Sequence, residues 1–121
     1  MPRLARICWV LTVVYWCGLF ALTHVPSRVL PVVKVSDKIE HCISYGVLAL
    51  GLFLSMFLSK RRRASDVAVL VLGILLAYGA IDEWTQIPVG RSCELADWFA
   101  DAAGSGIAVV LSTLLSNFFG T

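Results

Sequence analysis

Two neighbouring carboxylates lie near the end of one of the most apolar segments of this sequence. Asp82 and Glu83 lie near the end of the run VAVLVLGILLAYGAIDEWTQ, whose other residues are almost wholly apolar. A carboxylate at such a position can accept hydrogen bonds from hydroxyls and amines, exchange protons or help to hold a divalent cation. Because an unpaired anion in apolar surroundings is costly, an ionisable group there indicates a functional site that faces protein or water.

Polar residues at helical spacing extend this site to two further segments. If the three segments are helices, residues at i, i+4 and i+8 share one face. The three polar stripes are Asp37, His41 and Tyr45; Tyr78, Asp82 and Gln86; and Asp97, Asp101 and Ser105. Polar stripes on apolar helices are stable where they face one another, so they predict an acid-rich pocket. Glu83 points about 100° away from Asp82 around a helix, so only one of the two is expected to aim fully inward. Asp82 is predicted to face the pocket, and Glu83 the interface or a neighbouring helix.

The candidate site combines these stripes with adjacent residues and with predicted counter-charges. The predicted ligand-binding residues are Asp37, Lys38, His41, Tyr45, Tyr78, Asp82, Glu83, Gln86, Arg91, Asp97 and Asp101. The candidates for catalysis are His41, Asp82 and Asp97, with His41 as a base that a carboxylate orients. No metal or cofactor is predicted, since neither HExxH nor CxxC occurs. A divalent cation on oxygen ligands, such as Mg²⁺, Ca²⁺ or Mn²⁺, stays open. His24 is expected in a solvated loop.

Composition and charge spacing define the elements that must position these residues. Apolar residues make up 59% of the 121 residues and charged residues only 15%. Stretches without a permanently charged side chain span 21 residues after Arg6, 19 after Glu40, 15 after Asp66 and 20 after Asp101. A helix needs about 20 residues to cross a hydrocarbon core of ~30 Å. The sequence therefore predicts an all-α fold, a single membrane domain of four transmembrane helices. The predicted spans are about residues 5–24, 39–58, 67–86 and 97–118.

The distribution of Lys and Arg predicts that both termini are cytoplasmic. In this orientation, six of the ten Lys and Arg residues lie on the cytoplasmic side, four of them in the block at residues 60–63. Short loops rich in Lys and Arg stay in the cytoplasm. Seven of the eight acidic residues then lie on or near the outer side, so the pocket is predicted to open outward. The net charge of +2 and the lack of a basic stripe argue against nucleic acid as a partner.

The polar motifs resemble those of the VanZ-like family of small bacterial membrane proteins. In chain order they read Ser36-Asp37-Lys38-x-x-His41-x-x-x-Tyr45, Tyr78-x-x-x-Asp82-Glu83-x-x-Gln86, Arg91, and Asp97-x-x-Ala100-Asp101-x-x-Gly104. The resemblance extends from Thr23-His24-Val25-Pro26 to Gly104-Ser105-Gly106, nearly the whole chain. It implies a multi-pass protein of the bacterial inner membrane. The founding member of the family is associated with low-level resistance to the lipoglycopeptide teicoplanin.

One departure from the family pattern concerns the fourth helix. Where the family usually has Asn four residues after the aspartate, this chain has Asp101. The added carboxylate implies a site more selective for cations, with a ligand that need not be the one other members bind.

Three functions remain open at the level of the sequence. In the first, the outward acidic pocket of a cell-envelope protein binds a polar head group or a glycan or glycopeptide moiety. Its partners would be the lipid bilayer and lipid-linked cell-wall precursors or glycopeptides, with a link to teicoplanin resistance. The second is a membrane-embedded hydrolase or transferase that acts on a lipid-linked envelope substrate. The third is a structural subunit whose polar stripes only fix helix packing. The oligomeric state is not indicated, and a bridge between Cys42 and Cys93 is a further hypothesis.

Overall fold

The chain folds into four long helices. A computed structural model describes residues 1–25, 37–60, 62–89 and 95–120, with the side chains of Asp37 and Val89 outside that description. The helices are α1 (Arg3–Thr23), α2 (Asp37–Ser59), α3 (Ala64–Thr85) and α4 (Leu95–Phe119), with a 3-10 turn at Ile87–Val89. The described ranges contain no strand, so the predicted all-α fold is confirmed.

Each helix is long and apolar enough to cross a membrane, which makes the chain a multi-pass membrane protein. The third helix shows how length and charge are reconciled. Its uncharged stretch is too short to span the hydrocarbon alone, but α3 continues through Thr85 and reaches 22 residues, about 33 Å at 1.5 Å per residue. Asp82 and Glu83 are consequently part of the helix rather than of the following connection.

The side chains are distributed as expected for a bundle in lipid. Large apolar residues such as Val10, Val69, Ile107 and Leu114 are exposed on the outer faces of the helices. Several ionisable side chains are instead buried, Asp82 completely. Lipid cannot hydrogen-bond to polar groups, so the apolar faces turn outward and the polar ones toward the other helices.

Helix α2 is the centre of the bundle. It contacts each of the other three helices, most extensively α4, while α3 also packs along α4. Leu48 and Phe53 of α2 share an apolar core with Val71 and Leu75 of α3 and Val109 of α4. This core fills the middle of the bundle and leaves the buried acidic side chains at one end.

The contact between α2 and α4 depends on the absence of a side chain at Gly104. A Cβ atom at this position would overlap the carbonyl oxygen of Cys42, and the Cβ position of Gly46 lies 3.4 Å from the carbonyl oxygen of Gly104. Such close approach of two backbones is the usual role of small residues in membrane bundles. By contrast, no atom lies within 4 Å of the Cβ position of Gly106.

Gly104→Ala is therefore expected to lower thermal stability, whereas the matched change Gly106→Ala is not. Overlap with the Cys42 backbone forces the two helices apart, at a cost of about 1–3 kcal/mol. At position 106 alanine meets open space and gains up to about 1 kcal/mol of helix propensity. Tryptophan fluorescence during heating of each purified variant in detergent measures the two melting temperatures. Equal melting temperatures for the two variants would contradict this packing.

The orientation of the termini stays a prediction. The buried acidic residues lie at the end of the bundle where α1 and α3 terminate and α2 and α4 begin, and Lys60, Arg62 and Arg63 lie at the other end. The two ends therefore have opposite electrostatic character, as the Lys and Arg distribution requires.

Candidate functional site

The candidate site lies where four helix ends meet. Thr23 ends α1, Lys38 and His41 lie in the first turns of α2, Asp82 and Glu83 in the last turn of α3, and Asp97 in the first turn of α4. This antiparallel arrangement brings segments far apart in sequence to one end of the bundle. Four carboxylates are buried there, with exposed fractions of 0% for Asp82, 3% for Glu83, 3% for Asp97 and 2% for Asp101.

Asp82 accepts hydrogen bonds from three side chains. Thr23 Oγ1 lies 3.0 Å from Asp82 Oδ1, and Tyr45 Oη donates to Oδ2 at 3.0 Å. Gln86, which caps α3, folds back so that its Nε2 donates to Oδ2 at 3.2 Å. Hydrogen bonds to the charged form stabilise a buried carboxylate. Asp82 thus joins α1, α2 and the end of α3 in one polar network.

His24 belongs to the edge of this network rather than to a solvated loop. Its Nε2 lies 2.8 Å from Thr85 Oγ1, and its Nδ1 lies 3.8 Å from Asp82 Oδ1. The side chain is only 15% exposed. The expectation from the sequence was therefore wrong for His24, because Thr23 and His24 continue the course of α1 and pack against the end of α3.

His41 lies among three carboxylates on the other side of the site. Its Nδ1 is 2.6 Å from Asp101 Oδ1 and 3.7 Å from Glu83 Oε1. Its Nε2 is 4.0 Å from Asp97 Oδ2. Both ring nitrogens consequently face carboxylate oxygens, which are hydrogen-bond acceptors.

Lys38 supplies a cation at the rim of the same group. Its Nζ forms an ion pair with Asp97 Oδ1, while its side chain is 42% exposed. Lys38 and Asp97 come from α2 and α4, so this pair closes the end of the contact between those two helices. The amphipathic lysine side chain reaches from the surface to a buried carboxylate.

Two buried oxygens of α4 have no hydrogen-bond partner among the described residues. They are Asp101 Oδ2 and Ser105 Oγ, on side chains that are 2% and 1% exposed. Ser105 lies one turn beyond Asp101 on the same face of α4. Because a buried acceptor is normally satisfied, the region around Asp101 has unused capacity to bind a polar group.

Most residues of the predicted site come together. Those that meet in one cluster are Lys38, His41, Tyr45, Asp82, Glu83, Gln86, Asp97 and Asp101. Tyr78 stacks beside Tyr45, with ring centroids 5.9 Å apart. Asp37 is part of α2, but its side chain, like Arg91 and Cys93, lies outside the described residues.

Glu83 adopts the second of the two placements predicted for it. It is buried and faces His41 of the neighbouring helix α2. Asp82 next to it is buried as well, so the expectation that only one of the two aims inward was wrong. Both carboxylates are buried because neighbouring helices contact each of them: Asp82 faces Thr23 of α1 and Tyr45 of α2, and Glu83 faces His41, one turn before Tyr45 on α2.

Thr23 is the hydrogen-bond donor that the sequence stripes did not include. It precedes His24 in the Thr23-His24-Val25-Pro26 motif, which was the available signal. Helical spacing relates residues only within one helix, so it could not assign a residue of α1 to a carboxylate of α3.

Tyr45→Phe is expected to destabilise the protein more than Tyr15→Phe. The Tyr45 hydroxyl donates to a buried carboxylate, a kind of hydrogen bond that contributes roughly 1.5–3 kcal/mol. The Tyr15 hydroxyl donates at 2.9 Å to the backbone oxygen of Ser44, and polar contacts of this kind in membranes average about 0.6 kcal/mol. Thermal unfolding of both variants in detergent gives the comparison. A larger loss for Tyr15→Phe would show that Asp82 does not depend on this donor.

Comparison with known proteins identifies one related group. A family model described as VanZ/LLP1 matches residues 20–116, a region that contains every residue of the cluster. No curated protein and no solved structure matches the chain at a significant level.

Proposed function

The chain belongs to the VanZ/LLP1 family, and on this basis we propose that its acidic cluster binds a polar head group or a glycan or glycopeptide moiety of the bacterial cell envelope. The bound group would be one rich in hydroxyls or amines, which donate hydrogen bonds to carboxylates. Its source would be a lipid-linked cell-wall precursor or a glycopeptide at the outer face of the inner membrane.

The observation that carries this proposal is the convergence of Glu83, Asp97 and Asp101 on His41 at one end of the bundle. Three carboxylates around one imidazole are more than helix packing requires. Elsewhere in the same bundle, α1 and α2 are joined by neutral contacts such as Thr12 Oγ1 to Ser55 Oγ at 3.2 Å. Hydroxyl pairs of this kind hold helices together without burying charge.

The chemistry of the rim is consistent with an amphiphilic ligand. Lys38 is partly exposed and attached to the cluster through Asp97, so it offers a cation to a phosphate or carboxylate of the ligand. The carboxylates beside it would accept hydrogen bonds from the sugar or amine portion. A lipid-linked precursor combines both kinds of group, and its lipid part would lie along the apolar outer faces of the bundle.

The proposal also gives a physical route to teicoplanin resistance. In this proposal, teicoplanin binds cell-wall precursors at the outer face of the membrane, where the predicted topology places the cluster. A protein that holds the polar part of either the precursor or the antibiotic would reduce the amount of complex between the two. Protection would then require the cluster itself and not merely the presence of the helices.

A hydrolase or transferase is the second candidate, favoured by the contact of 2.6 Å between His41 Nδ1 and Asp101 Oδ1. A carboxylate that orients a histidine in this way is a common arrangement for a general base. An enzyme would change the composition of lipid-linked envelope precursors, whereas a binding protein would leave it unchanged. Mass spectrometry of lipid extracts from cells with and without the protein separates these candidates.

The test of the proposed function is teicoplanin susceptibility of a sensitive bacterial host that expresses the protein. We expect the wild type to raise the inhibitory concentration several-fold, and His41→Gln and Asp97→Asn to return it to the level of the empty vector. Both variants remove a charge or a hydrogen-bonding partner inside the cluster while keeping side-chain size.

The matched control is Asp66→Asn, which changes an exposed carboxylate in the first turn of α3, at the opposite end of the bundle. It should protect as well as the wild type, with all proteins at equal abundance in the membrane. Full protection by His41→Gln and Asp97→Asn, or none by an abundant wild type, would contradict the proposed function.

A further inference from the structure

We infer that His41, Glu83 and Asp101 hold a divalent transition-metal ion such as Mn²⁺. This goes beyond the proposed function, because the three residues would hold the ion whether or not a head group or glycan binds. All three are buried, and one ligand atom from each lies within 4.8 Å of the other two. They come from α2, α3 and α4, so the ion would join the three helices that form most of the site.

The spacing of the ligand atoms suits a single ion. Metal–ligand distances of about 2.0–2.2 Å place neighbouring ligand atoms roughly 2.8–3.6 Å apart in octahedral or tetrahedral geometry. The two distances from His41 Nδ1, 2.6 Å to Asp101 Oδ1 and 3.7 Å to Glu83 Oε1, lie on either side of that range. The ligand atoms of Glu83 and Asp101 lie within 4.8 Å of each other, so rotation of the two carboxylates would bring the three atoms into coordinating positions.

A second and separate observation is the unsatisfied oxygen of Asp101. Its Oδ2 atom has no hydrogen-bond partner among the described residues, and neither does Ser105 Oγ one turn away. An unpaired polar atom that is this deeply buried costs about 1–3 kcal/mol, and more when it is charged. An ion bound to both oxygens of Asp101, or a water molecule of its coordination shell near Ser105, would supply the missing interaction.

The charges of the described cluster also favour a cation. Asp82, Glu83, Asp97 and Asp101 supply four buried carboxylates, and Lys38 is the lysine that pairs with one of them. Asp82 is satisfied by three neutral donors. Glu83 and Asp101 share His41. A divalent ion between these two carboxylates offsets their repulsion where lipid and protein screen charges weakly.

The second ring nitrogen of His41, which would not bind the ion, has the surroundings that are usual in a metal-binding histidine. Its Nε2 faces Asp97 Oδ2 at 4.0 Å, and Asp97 is in turn held by Lys38. Metal-binding histidines usually direct their second nitrogen toward a carboxylate, which fixes the tautomer and orients the ring. On metal binding, the proton of the His41–Asp101 hydrogen bond would leave to solvent, since Nδ1 must be unprotonated to coordinate.

The ligand types indicate the kind of ion. One imidazole nitrogen with two carboxylates suits Mn²⁺, Zn²⁺ or Fe²⁺ better than Ca²⁺ or Mg²⁺, which prefer oxygen ligands alone. Three protein ligands leave further positions on the ion for water or for an oxygen of a bound molecule. The added carboxylate Asp101, noted from the sequence as favouring cations, would then be a direct ligand.

The experiment measures Mn²⁺ binding to the full chain, purified in detergent and stripped of metals with a chelator. Mn²⁺ is the probe because thiolates such as those of the cysteines bind it weakly, and its free ion is quantified by electron paramagnetic resonance. We expect about one Mn²⁺ per chain for the wild type and for Asp66→Asn. Glu83→Gln and Asp101→Asn should each weaken binding by at least about tenfold.

Glu83→Asp keeps the charge but shortens the side chain by one methylene group. It replaces Glu83→Gln in the test if that neutral variant does not fold. It should also bind more weakly, and Mn²⁺ should raise the melting temperature of the wild type but not of this variant. Binding below about 0.2 Mn²⁺ per wild-type chain, or unchanged affinity in folded Glu83→Asp and Asp101→Asn, would overturn the inference.

The outcome is separable from that of the proposed function. A wild type that protects against teicoplanin without binding Mn²⁺ would remove the metal site and leave the proposed function intact. Stoichiometric Mn²⁺ binding without any protection against teicoplanin would support the metal site and contradict the proposed function.

Discussion

The exclusion of buried carboxylates from both water and lipid is the constraint on which this structure depends. In a membrane bundle each such group must find its partners among the helices themselves. Asp82 does so with three donors from α1, α2 and the end of α3. These bonds fix the relative positions of the helix ends. As a result Glu83, the next residue of α3, faces His41.

The site therefore consists of two parts with different physical character. Around Asp82 the described hydrogen bonds all come from donors that satisfy the carboxylate. This arrangement stabilises the packing of the helices. Around His41 the acceptors outnumber the donors: Glu83, Asp97 and Asp101 all face one imidazole, and Asp101 retains an unpartnered oxygen. Excess acceptor capacity is what a cation or a ligand rich in hydroxyls and amines would use.

Much of this arrangement could be predicted from the sequence, because the membrane limits the possibilities. Charge spacing predicted the four helices, and the 3.6-residue period correctly placed His41 with Tyr45 and Asp97 with Asp101. Contacts between helices were harder to predict. The period does not specify how helices rotate or cross, so the position of Thr23 beside Asp82, the burial of both Asp82 and Glu83, and the different surroundings of Gly104 and Gly106 required the structure.

The central claim is that the residues around His41 are kept for function and not for helix packing. The most direct measurement is the melting temperature of the triple variant His41→Leu/Glu83→Leu/Asp101→Leu in detergent, in which Asp97 keeps Lys38 as its partner. Replacing a whole buried ionic group by apolar residues of similar volume is often neutral or stabilising. The account therefore predicts a melting temperature equal to or above that of the wild type, together with loss of function. A large decrease in melting temperature would contradict it and assign the cluster to holding the helices together.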